Sequence, residues 1–393
     1  MRARSAWVAA AMAALCGLSA GPPTARAAGT LQAPPLSLHP EDLPPALAQV
    51  PLLSDRPPEQ YASKFTLYWD NDGGWAKPID RHDKHYTSGV GASLAWRAPW
   101  VDALLDNVPS IADEFPKGAT DHAMGFVGAL TMYTPKHYVL TQPIPDDRPF
   151  AGYTYGGLFF QRANRQANVP VYEALEVDLG ILGPSSLAQN AQEMVHHTFG
   201  YPYPRGWSNQ INDEAEFAIK YDRRWRLDAW TPPADWQPWA PRVQVLPQVG
   251  LTAGTVLDEA HAGAIFRAGW NMPDDFGPGN LAMPGDFTYR PASPDDPFTW
   301  RDIFRKQSFF LFARPYGELV ARNSLLEGDA FSDRDPVTVS PEHALFGVEY
   351  GLSHRFLKYF EFTYSWTTES PEFKGQDKWD TWASVRLSFE ISW

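Results

Sequence analysis

The chain has 393 residues, a formal net charge of −13 and an aromatic content of 14%. An acidic surface argues against a general nucleic-acid binder, because such proteins neutralise phosphates with basic side chains. So many aromatic rings argue against intrinsic disorder, and a mean hydropathy of −0.36 argues against a bundle of membrane helices.

The first 27 residues predict a cleaved secretory signal peptide. Arg2 and Arg4 precede an apolar run over residues 7–20, and Ala25-Arg26-Ala27 provides a small-residue cleavage site. The apolar run is too short to span a bilayer comfortably, which disfavours a membrane anchor. Cys16 is the only cysteine and would leave with the peptide, so we expect a mature chain without disulfides.

The rest of the chain divides into an extension and a β-domain. Residues 28–60 are rich in Pro and Ala without apolar periodicity, which predicts a loosely ordered N-terminal extension. In residues 61–393 a period of two recurs, and no helical pattern is long enough for βαβ units. The twelve predicted strands are 64–70, 86–96, 121–132, 152–162, 172–182, 215–224, 241–255, 261–271, 308–323, 343–353, 359–368 and 380–393.

The last strand shows the alternation most clearly. Every second residue there is apolar, namely Val385, Leu387, Phe389, Ile391 and Trp393. One apolar and one polar face suit a strand between lipid and a polar lumen. A single such strand would fit a soluble sandwich equally well. Because twelve occur, several with the roughly 9–11 residues that cross a bilayer, we predict an all-β, twelve-stranded antiparallel transmembrane barrel.

The connections after strands 1, 3 and 5 contain the residues that could take part in catalysis or metal binding. An even strand count returns both termini to the periplasmic side, so these connections are expected at the extracellular rim. In the third of them, Ser185 or Ser186 could cap a helix and Gly200 could end it. We therefore predict a short helical insert over residues 187–198.

This insert carries the candidate general base. Gln192 and His196 are four residues apart and would share one face of the helix. An imidazole titrates close to neutral pH, which suits base catalysis. His197 lies about 100° away around the helix and is the competing candidate. A helical histidine is otherwise commonly a solvated or hydrogen-bonded bystander.

Several motifs follow one another in order over most of the mature chain. They are Asn71-Asp72, His85-Tyr86-Thr87-Ser88-Gly89, Tyr133-Thr134-Pro135-Lys136, Asp146-Asp147-Arg148-Pro149-Phe150-Ala151-Gly152, Gln192 with His196, and Gly206-Trp207 with Asn209-Gln210. Together they resemble the outer-membrane lipid A 3′-O-deacylase family. The resemblance implies a twelve-stranded barrel that uses Ca²⁺ to hydrolyse the ester of the 3′-acyloxyacyl group of lipid A.

The resemblance also implies roles for individual side chains. His196 would activate the attacking water, and Ca²⁺ would stabilise the oxyanion. Gln192 would orient the water or the substrate, while Lys136 and Arg148 suit the phosphates of lipid A or an oxyanion. Arg148 has an equally good alternative role, as a brace of its own loop through neighbouring aspartates.

Ca²⁺ prefers oxygen ligands, which the first hairpin supplies. Asn71 and Asp72 would bind the ion together with Thr87, whose odd parity with Gly89 places it on the inner face of the barrel. Glu214 is the expected further carboxylate. Nearby acids leave the identity of the carboxylate ligands open, namely Asp70, Asp80, Asp83, Asp213 and Glu216.

The expected partners are lipid A within lipopolysaccharide and the surrounding outer-membrane lipids, not nucleic acid. We expect a monomer, although the sequence leaves the oligomeric state open. Three alternatives remain: an outer-membrane phospholipase, a porin or transporter with an open lumen, and a soluble periplasmic β-protein. The phospholipase would need a serine nucleophile, and the only serine in the motifs, Ser88, faces outward by parity.

Overall fold

The computed structural model describes residues 62–73, 84–108, 114–231, 241–288, 307–331, 334–356 and 359–392. The predicted signal peptide and extension, and the candidate ligands Asp80 and Asp83, lie outside these residues. The described strands are β1 (Ala62–Asn71), β2 (His85–Arg97), β3 (Asp121–Thr134), β4 (Ala151–Asn164), β5 (Val171–Leu182), β6 (Glu214–Trp225), β7 (Leu227–Trp230), β8 (Arg242–Gly254), β9 (Leu257–Trp270), β10 (Ser308–Asn323), β11 (Ala344–Phe356), β12 (Phe360–Glu369) and β13 (Asp380–Ser392).

These strands form a closed antiparallel barrel. Each long strand pairs with its neighbours in the chain, β1 pairs with β13, and β6 pairs with β8. The short β7 continues the course of β6 and pairs with the first residues of β8, so β6 and β7 together make one wall strand. The barrel therefore has twelve wall strands, as predicted, and the long strands begin and end within four residues of the predicted positions. The period-two pattern does not predict β7.

The two faces of the wall have opposite character. On β13, Arg386 and Glu390 are buried in the barrel, whereas Phe389 and Ile391 are exposed on its outer face. On β1, Phe65 is likewise exposed and belongs to an apolar outer belt. This alternation confirms the prediction for the last strand and is the pattern of a wall between lipid and a polar interior.

The lumen is filled from one end. Residues 271–288 follow β9 and lie inside the barrel, where their backbone carbonyls accept hydrogen bonds from side chains of the wall. The Tyr155 hydroxyl donates to the Leu281 carbonyl over 3.1 Å, and the Gln161 amide donates to that of Gly285 over 2.9 Å. Leu281 and Phe287 pack in the central apolar cluster. A filled interior does not fit an open water-filled pore.

The described helices are α1 (Pro99–Leu105), α2 (Ala188–Phe199) and α3 (Ser324–Glu327). None of the helices in the described residues has the length and apolar character needed to cross a bilayer. Helix α2 is the predicted insert, and Gly200 ends it with a left-handed φ of 71°. The N-cap residue is Leu187, after a 3-10 turn, and neither predicted serine occupies that position. The Ser186 hydroxyl nevertheless accepts the backbone N–H of Ala188, the first residue of the helix, over 3.4 Å.

Helix α2 packs against the outside of the wall. We call the end of the barrel where β1, β3 and β5 end the upper rim, since β2, β4 and β6 begin there. At this rim Gly152 and Thr154 alternate with the buried Tyr153 and Tyr155, so they face outward. A Cβ at Gly152 would overlap Ala188, the first residue of α2, so glycine permits the close approach.

A small apolar core holds α2 in this position. Met132 of β3 points outward and packs with residues of the surrounding loops and of α2, namely Tyr138, Phe150, Ala188 and Trp207. The Thr154 hydroxyl donates to the Ser186 carbonyl over 2.7 Å. The space between α2 and the wall therefore lies outside the barrel, separate from the lumen.

Candidate active site

The face of α2 that meets the wall is polar where it carries Gln192 and His196. Together with Ala188, these are the buried residues of the helix, at the spacing of four that aligns side chains on one face. The shared face is as predicted. The adjacent His197 is exposed to solvent. Burial therefore separates the two histidines that the sequence could not rank.

The orientation of the His196 ring is fixed by its neighbours. Nδ1 lies 2.6 Å from the Pro202 carbonyl oxygen, which can only accept a hydrogen bond, so Nδ1 carries the proton in the neutral ring. Tyr138 and Tyr201 contact the ring edge-on, with centroid distances of 5.7 and 5.6 Å. This tautomer makes Nε2 the basic nitrogen, as a general base requires.

Gln192 is held by Trp207. The indole Nε1–H donates to Gln192 Oε1 over 2.7 Å, and Trp207 is fully buried. Its ring packs against Phe150 at 5.0 Å between centroids. This hydrogen bond points the Gln192 amide oxygen toward Trp207, so the Gln192 NH₂ group points away from Trp207. The sequence contained Gly206-Trp207 as a motif but gave no reason to pair Trp207 with Gln192.

The three predicted oxygen ligands of the first hairpin lie together where β1 ends. The Asp72 backbone N–H donates to the Thr87 carbonyl over 3.2 Å, and the Asn71 amide donates to the same oxygen over 3.4 Å. The Lys84 backbone N–H donates to the Asp72 carboxylate over 2.7 Å. Both Asp72 and Thr87 are buried.

The predicted inner-face position of Thr87 is wrong. The register between β2 and β3 shifts at this residue, with Tyr86 opposite Tyr133 and Ser88 opposite Met132, so Thr87 is the extra residue of a β-bulge. Its hydroxyl lies 2.8 Å from that of Thr134 and does not continue the inner alternation of Gly89. Period-two counting fails at a bulge because the extra residue reverses the parity beyond it.

Ser88 faces outward, as its parity predicts, opposite Met132. Its hydroxyl donates to the Asp70 backbone carbonyl over 2.8 Å. A serine nucleophile needs a histidine within hydrogen-bond reach, and this hydroxyl is instead used on the backbone. The geometry gives the serine-dependent phospholipase no support at this position.

Glu214 is not brought to Asp72. It begins β6, and β2 to β5 separate that strand from β1 along the sheet. Its Oε2 accepts the Ala330 backbone N–H over 2.7 Å. Two of the alternative carboxylate ligands accept hydrogen bonds from other side chains. Asp213 accepts from the Ser185 hydroxyl over 2.8 Å, and Asp70 accepts from the Tyr86 hydroxyl over 2.8 Å.

The donor chemistry of the β1–β2 corner fits a hard cation. A carboxylate, an amide oxygen and a hydroxyl are contributed by Asp72, Asn71 and Thr87, and Ca²⁺ prefers oxygens of this kind. Among the described residues, no three acidic, histidine or cysteine side chains gather in a group able to hold a metal. A cation here would thus have Asp72 as its one acidic ligand among these three residues.

The two predicted phosphate-binding residues differ in environment. Lys136 is exposed, and its backbone N–H donates to the Asp147 carboxylate over 2.8 Å. Arg148 is buried: its guanidinium pairs with Glu372 at 2.6 Å and lies 4.3 Å from the centre of the Tyr133 ring. The geometry therefore favours Lys136 for contact with a ligand and favours Arg148 as a brace between loops.

A second buried histidine, to which no sequence motif assigns a role, connects the rim loops. His85 Nδ1 lies 2.8 Å from the Asp380 carboxylate, and its Nε2 lies 3.5 Å from that of Asp147. Phe373 contacts the ring edge-on at 5.3 Å. Burial alone would raise the pKa of Asp147, but hydrogen bonds from His85 and from the Lys136 backbone N–H lower it below the usual range.

One short segment joins the β1–β2 corner to α2. Thr134 bonds to Thr87 at the corner, and Tyr138, four residues further on, contacts His196. Lys136 lies between these two residues. At the upper rim, the segment from Thr134 to Tyr138 therefore contacts both the β1–β2 corner and the predicted base, with the exposed Lys136 between the two contacts.

Comparison with known proteins gives one family and several structures. A profile of the family described as "Outer membrane protein LpxR" matches residues 36–391. LpxR from Salmonella typhimurium is similar in structure, with a TM-score of 0.60 and 16% identity over 83% of this chain and 99% of that chain. The β domain of the Bordetella autotransporter BrkA has a TM-score of 0.39 and 8% identity, over 86% of this chain and 100% of that chain. Comparison with curated protein sequences finds no match.

Proposed function

Because the chain belongs to the LpxR family of bacterial outer-membrane proteins, we propose that it is a Ca²⁺-dependent lipid A 3′-O-deacylase. The proposed substrate is lipid A in the outer leaflet, with the active site on the extracellular side. The proposed reaction is hydrolysis of the ester that holds the 3′-acyloxyacyl group.

The observation that carries this proposal is the polar pair buried between α2 and the outside of the wall. Gln192 and His196 are both buried there, although a helix normally buries its apolar side. Burying two polar side chains costs free energy unless they are hydrogen-bonded, and both are held by specific partners. In this proposal the lipid ester approaches His196 from outside the wall and does not pass through the filled lumen.

His196 performs the proton transfers in this proposal. Its Nε2 accepts a proton from water as the water oxygen bonds to the ester carbonyl carbon. The Pro202 carbonyl stabilises the Nδ1–H of the imidazolium that forms. When the bond between the acyl carbon and the sugar oxygen breaks, Nε2 returns the proton to that oxygen, which leaves a free fatty acid and a free 3′-hydroxyl.

The remaining residues position the reactants. Gln192, fixed by Trp207, orients the water or the ester with its NH₂ group. Lys136 is exposed and can pair with a phosphate of lipid A. Asp72, Asn71 and Thr87 would hold the Ca²⁺. When bound, the ion would polarise the ester carbonyl and stabilise the oxyanion.

Mass spectrometry of lipid products tests the proposal. The purified chain would be mixed with lipopolysaccharide and, separately, with phospholipid vesicles, each with Ca²⁺ or with EDTA. We expect loss of the 3′-acyloxyacyl group from lipid A only when Ca²⁺ is present. Acyl loss from phospholipid alone would reject the proposed substrate, and equal activity in EDTA would reject the proposed metal.

A further inference from the structure

Beside the residues that face the wall, α2 carries large exposed apolar side chains. Met194 and Phe199 are 66% and 67% exposed, and Val195 is exposed as well. At about 100° per residue Met194 and Val195 span a sector of about 100° between the wall-facing and the polar residues, whereas Phe199, in the last turn, lies about 20° from Gln192. We call Met194, Val195 and Phe199 the apolar flank.

Three polar residues of the helix lie on another side, whereas Thr198 lies between Met194 and Val195 and donates its hydroxyl to the Met194 carbonyl over 2.7 Å. Asn190, Glu193 and His197 fall within a sector of about 60° that is separate from the apolar flank. Asn190 and His197 are exposed. Met194 and Val195 thus lie between the wall-facing residues and the polar residues, and the exposed Phe199 extends the apolar surface from the last turn. A helix with separate apolar and polar surfaces suits the boundary between lipid and water.

Neighbouring loops extend the apolar flank. Tyr201 stacks on Phe199 with 6.0 Å between ring centroids, and both rings are exposed. Tyr203, Val139 and Leu140 are also exposed nearby in the chain segments that pack beside α2. Tyrosine is enriched where a membrane surface meets water, because its ring is apolar and its hydroxyl is polar.

The apolar flank is close to the established lipid-facing surface. Helix α2 begins against the outward-facing Gly152 and Thr154 of β4. Further along the same face of β4, Leu158 is exposed, and on the adjacent β5 Leu179 is exposed on the corresponding outer face. The apolar surface therefore continues from the barrel belt to the wall beneath α2, and lipid covers that belt in an outer-membrane protein.

We propose that α2 is an interfacial helix whose apolar flank lies in the acyl chains of outer-leaflet lipids. Its polar sector faces the headgroups and water. Moving exposed apolar side chains from water into a lipid layer lowers the free energy of the system. The membrane contact is independent of any catalytic activity. If the proposed function also holds, the contact would set the depth of His196 near the ester linkage of a lipid.

Spin labels on single cysteines test the position of α2 directly. Cys16 is the only native cysteine, so each variant would carry Cys16→Ser. Labels at Met194→Cys and Phe199→Cys probe the apolar flank, and labels at Asn190→Cys and His197→Cys serve as matched controls on the same helix. The full chain would be reconstituted in vesicles of phospholipid and lipopolysaccharide, with the heat-dependent shift in gel mobility as the check of folding.

Oxygen concentrates in acyl chains, whereas a neutral nickel chelate stays in water, so their effects on the label report depth. We expect relaxation at Met194 and Phe199 to be several-fold more sensitive to oxygen than to nickel, with the reverse at Asn190 and His197. Strong nickel sensitivity at all four positions would reject the proposal, since α2 would then stand in water. Protection from both reagents at the apolar flank would also reject it, because a protein surface such as a second copy would cover it. Val195→Cys provides a second label if either flank variant fails to fold.

Discussion

Two buried histidines at the upper rim have opposite surroundings. His85 lies between two carboxylates, with Asp380 at 2.8 Å from Nδ1 and Asp147 at 3.5 Å from Nε2. His196 has a neutral carbonyl, that of Pro202, at 2.6 Å from Nδ1 and aromatic edges around the ring. Burial is therefore common to both, and the charge of the partners separates them.

The difference distinguishes a structural cation from a base. A ring with a carboxylate at each nitrogen is satisfied when it is protonated on both, and a doubly protonated imidazole cannot accept a proton. A ring whose Nδ1–H donates to a carbonyl is satisfied when neutral and keeps a basic Nε2. Burial of a histidine alone thus does not identify a catalytic base, whereas the partner of each nitrogen does.

The largest effect is expected at His196. General base catalysis contributes about 10²–10⁴-fold to a rate, so His196→Ala should reduce lipid A deacylation by that order. The barrel should keep its heat-dependent gel mobility, because the ring lies outside the wall. His197→Ala is the matched control and should retain nearly full activity, since that side chain is exposed. If the two variants exchanged these results, the assignment of His196 as the base would be wrong.

A smaller but specific effect is expected at the β1–β2 corner. Asp72→Asn keeps the shape of the side chain and removes the negative charge that would hold Ca²⁺. Mutation of a residue that only hydrogen-bonds to a metal ligand typically lowers metal affinity about 10–100-fold. Asp72 is a proposed ligand itself, so we expect the Ca²⁺ concentration for half-maximal activity to rise by about 100-fold. Activity measured over a series of Ca²⁺ concentrations checks this, with Glu214→Gln as the control. An unchanged requirement in Asp72→Asn would place the metal elsewhere.

The wall of the barrel could be predicted from sequence because lipid and lumen impose a period of two on each strand. The twelve wall strands and their approximate ends follow from that pattern. The bulge at Thr87 could not be predicted, because it is a property of the pairing between β2 and β3. The missed β7 has exposed residues and therefore little alternation to detect.

The candidate site was only partly predictable. The helical spacing correctly placed Gln192 and His196 on one face, because that spacing is a local property of the chain. The partners Trp207 and Pro202 depend on how the next loop folds back over α2, which no local pattern specifies. The placement of Glu214 depends on the strand order around the barrel, so its nearness to the hairpin motifs could not be judged from the chain alone.

Removal of His85 should affect stability more than chemistry. His85→Ala leaves the Asp380 and Asp147 carboxylates without their shared cation, and loss of one partner of a buried ion pair typically costs about 3–5 kcal/mol. We expect a lower midpoint for the heat-dependent change in gel mobility and substantial remaining deacylase activity in the folded fraction. Loss of activity with an unchanged midpoint would instead give His85 a catalytic role and remove the contrast with His196.

The smallest effect concerns how the stabilisation by the His85–Asp147 pair depends on pH. Since the folded-state pKa of Asp147 is lowered, its stabilisation is complete above the unfolded value of about 3.9 and disappears as the pH falls through the folded pKa. The carboxyl is partly exposed, so solvent screening limits its contribution to about 1 kcal/mol or less. Unfolding midpoints of wild type and Asp147→Asn should therefore differ at neutral pH and converge as the pH falls through the lowered folded-state pKa of Asp147. Because the Nδ1 partner of His196 is the Pro202 carbonyl, Asp147→Asn should leave the pH profile of activity unchanged above pH 5, and a shifted profile would show that the two histidines are coupled.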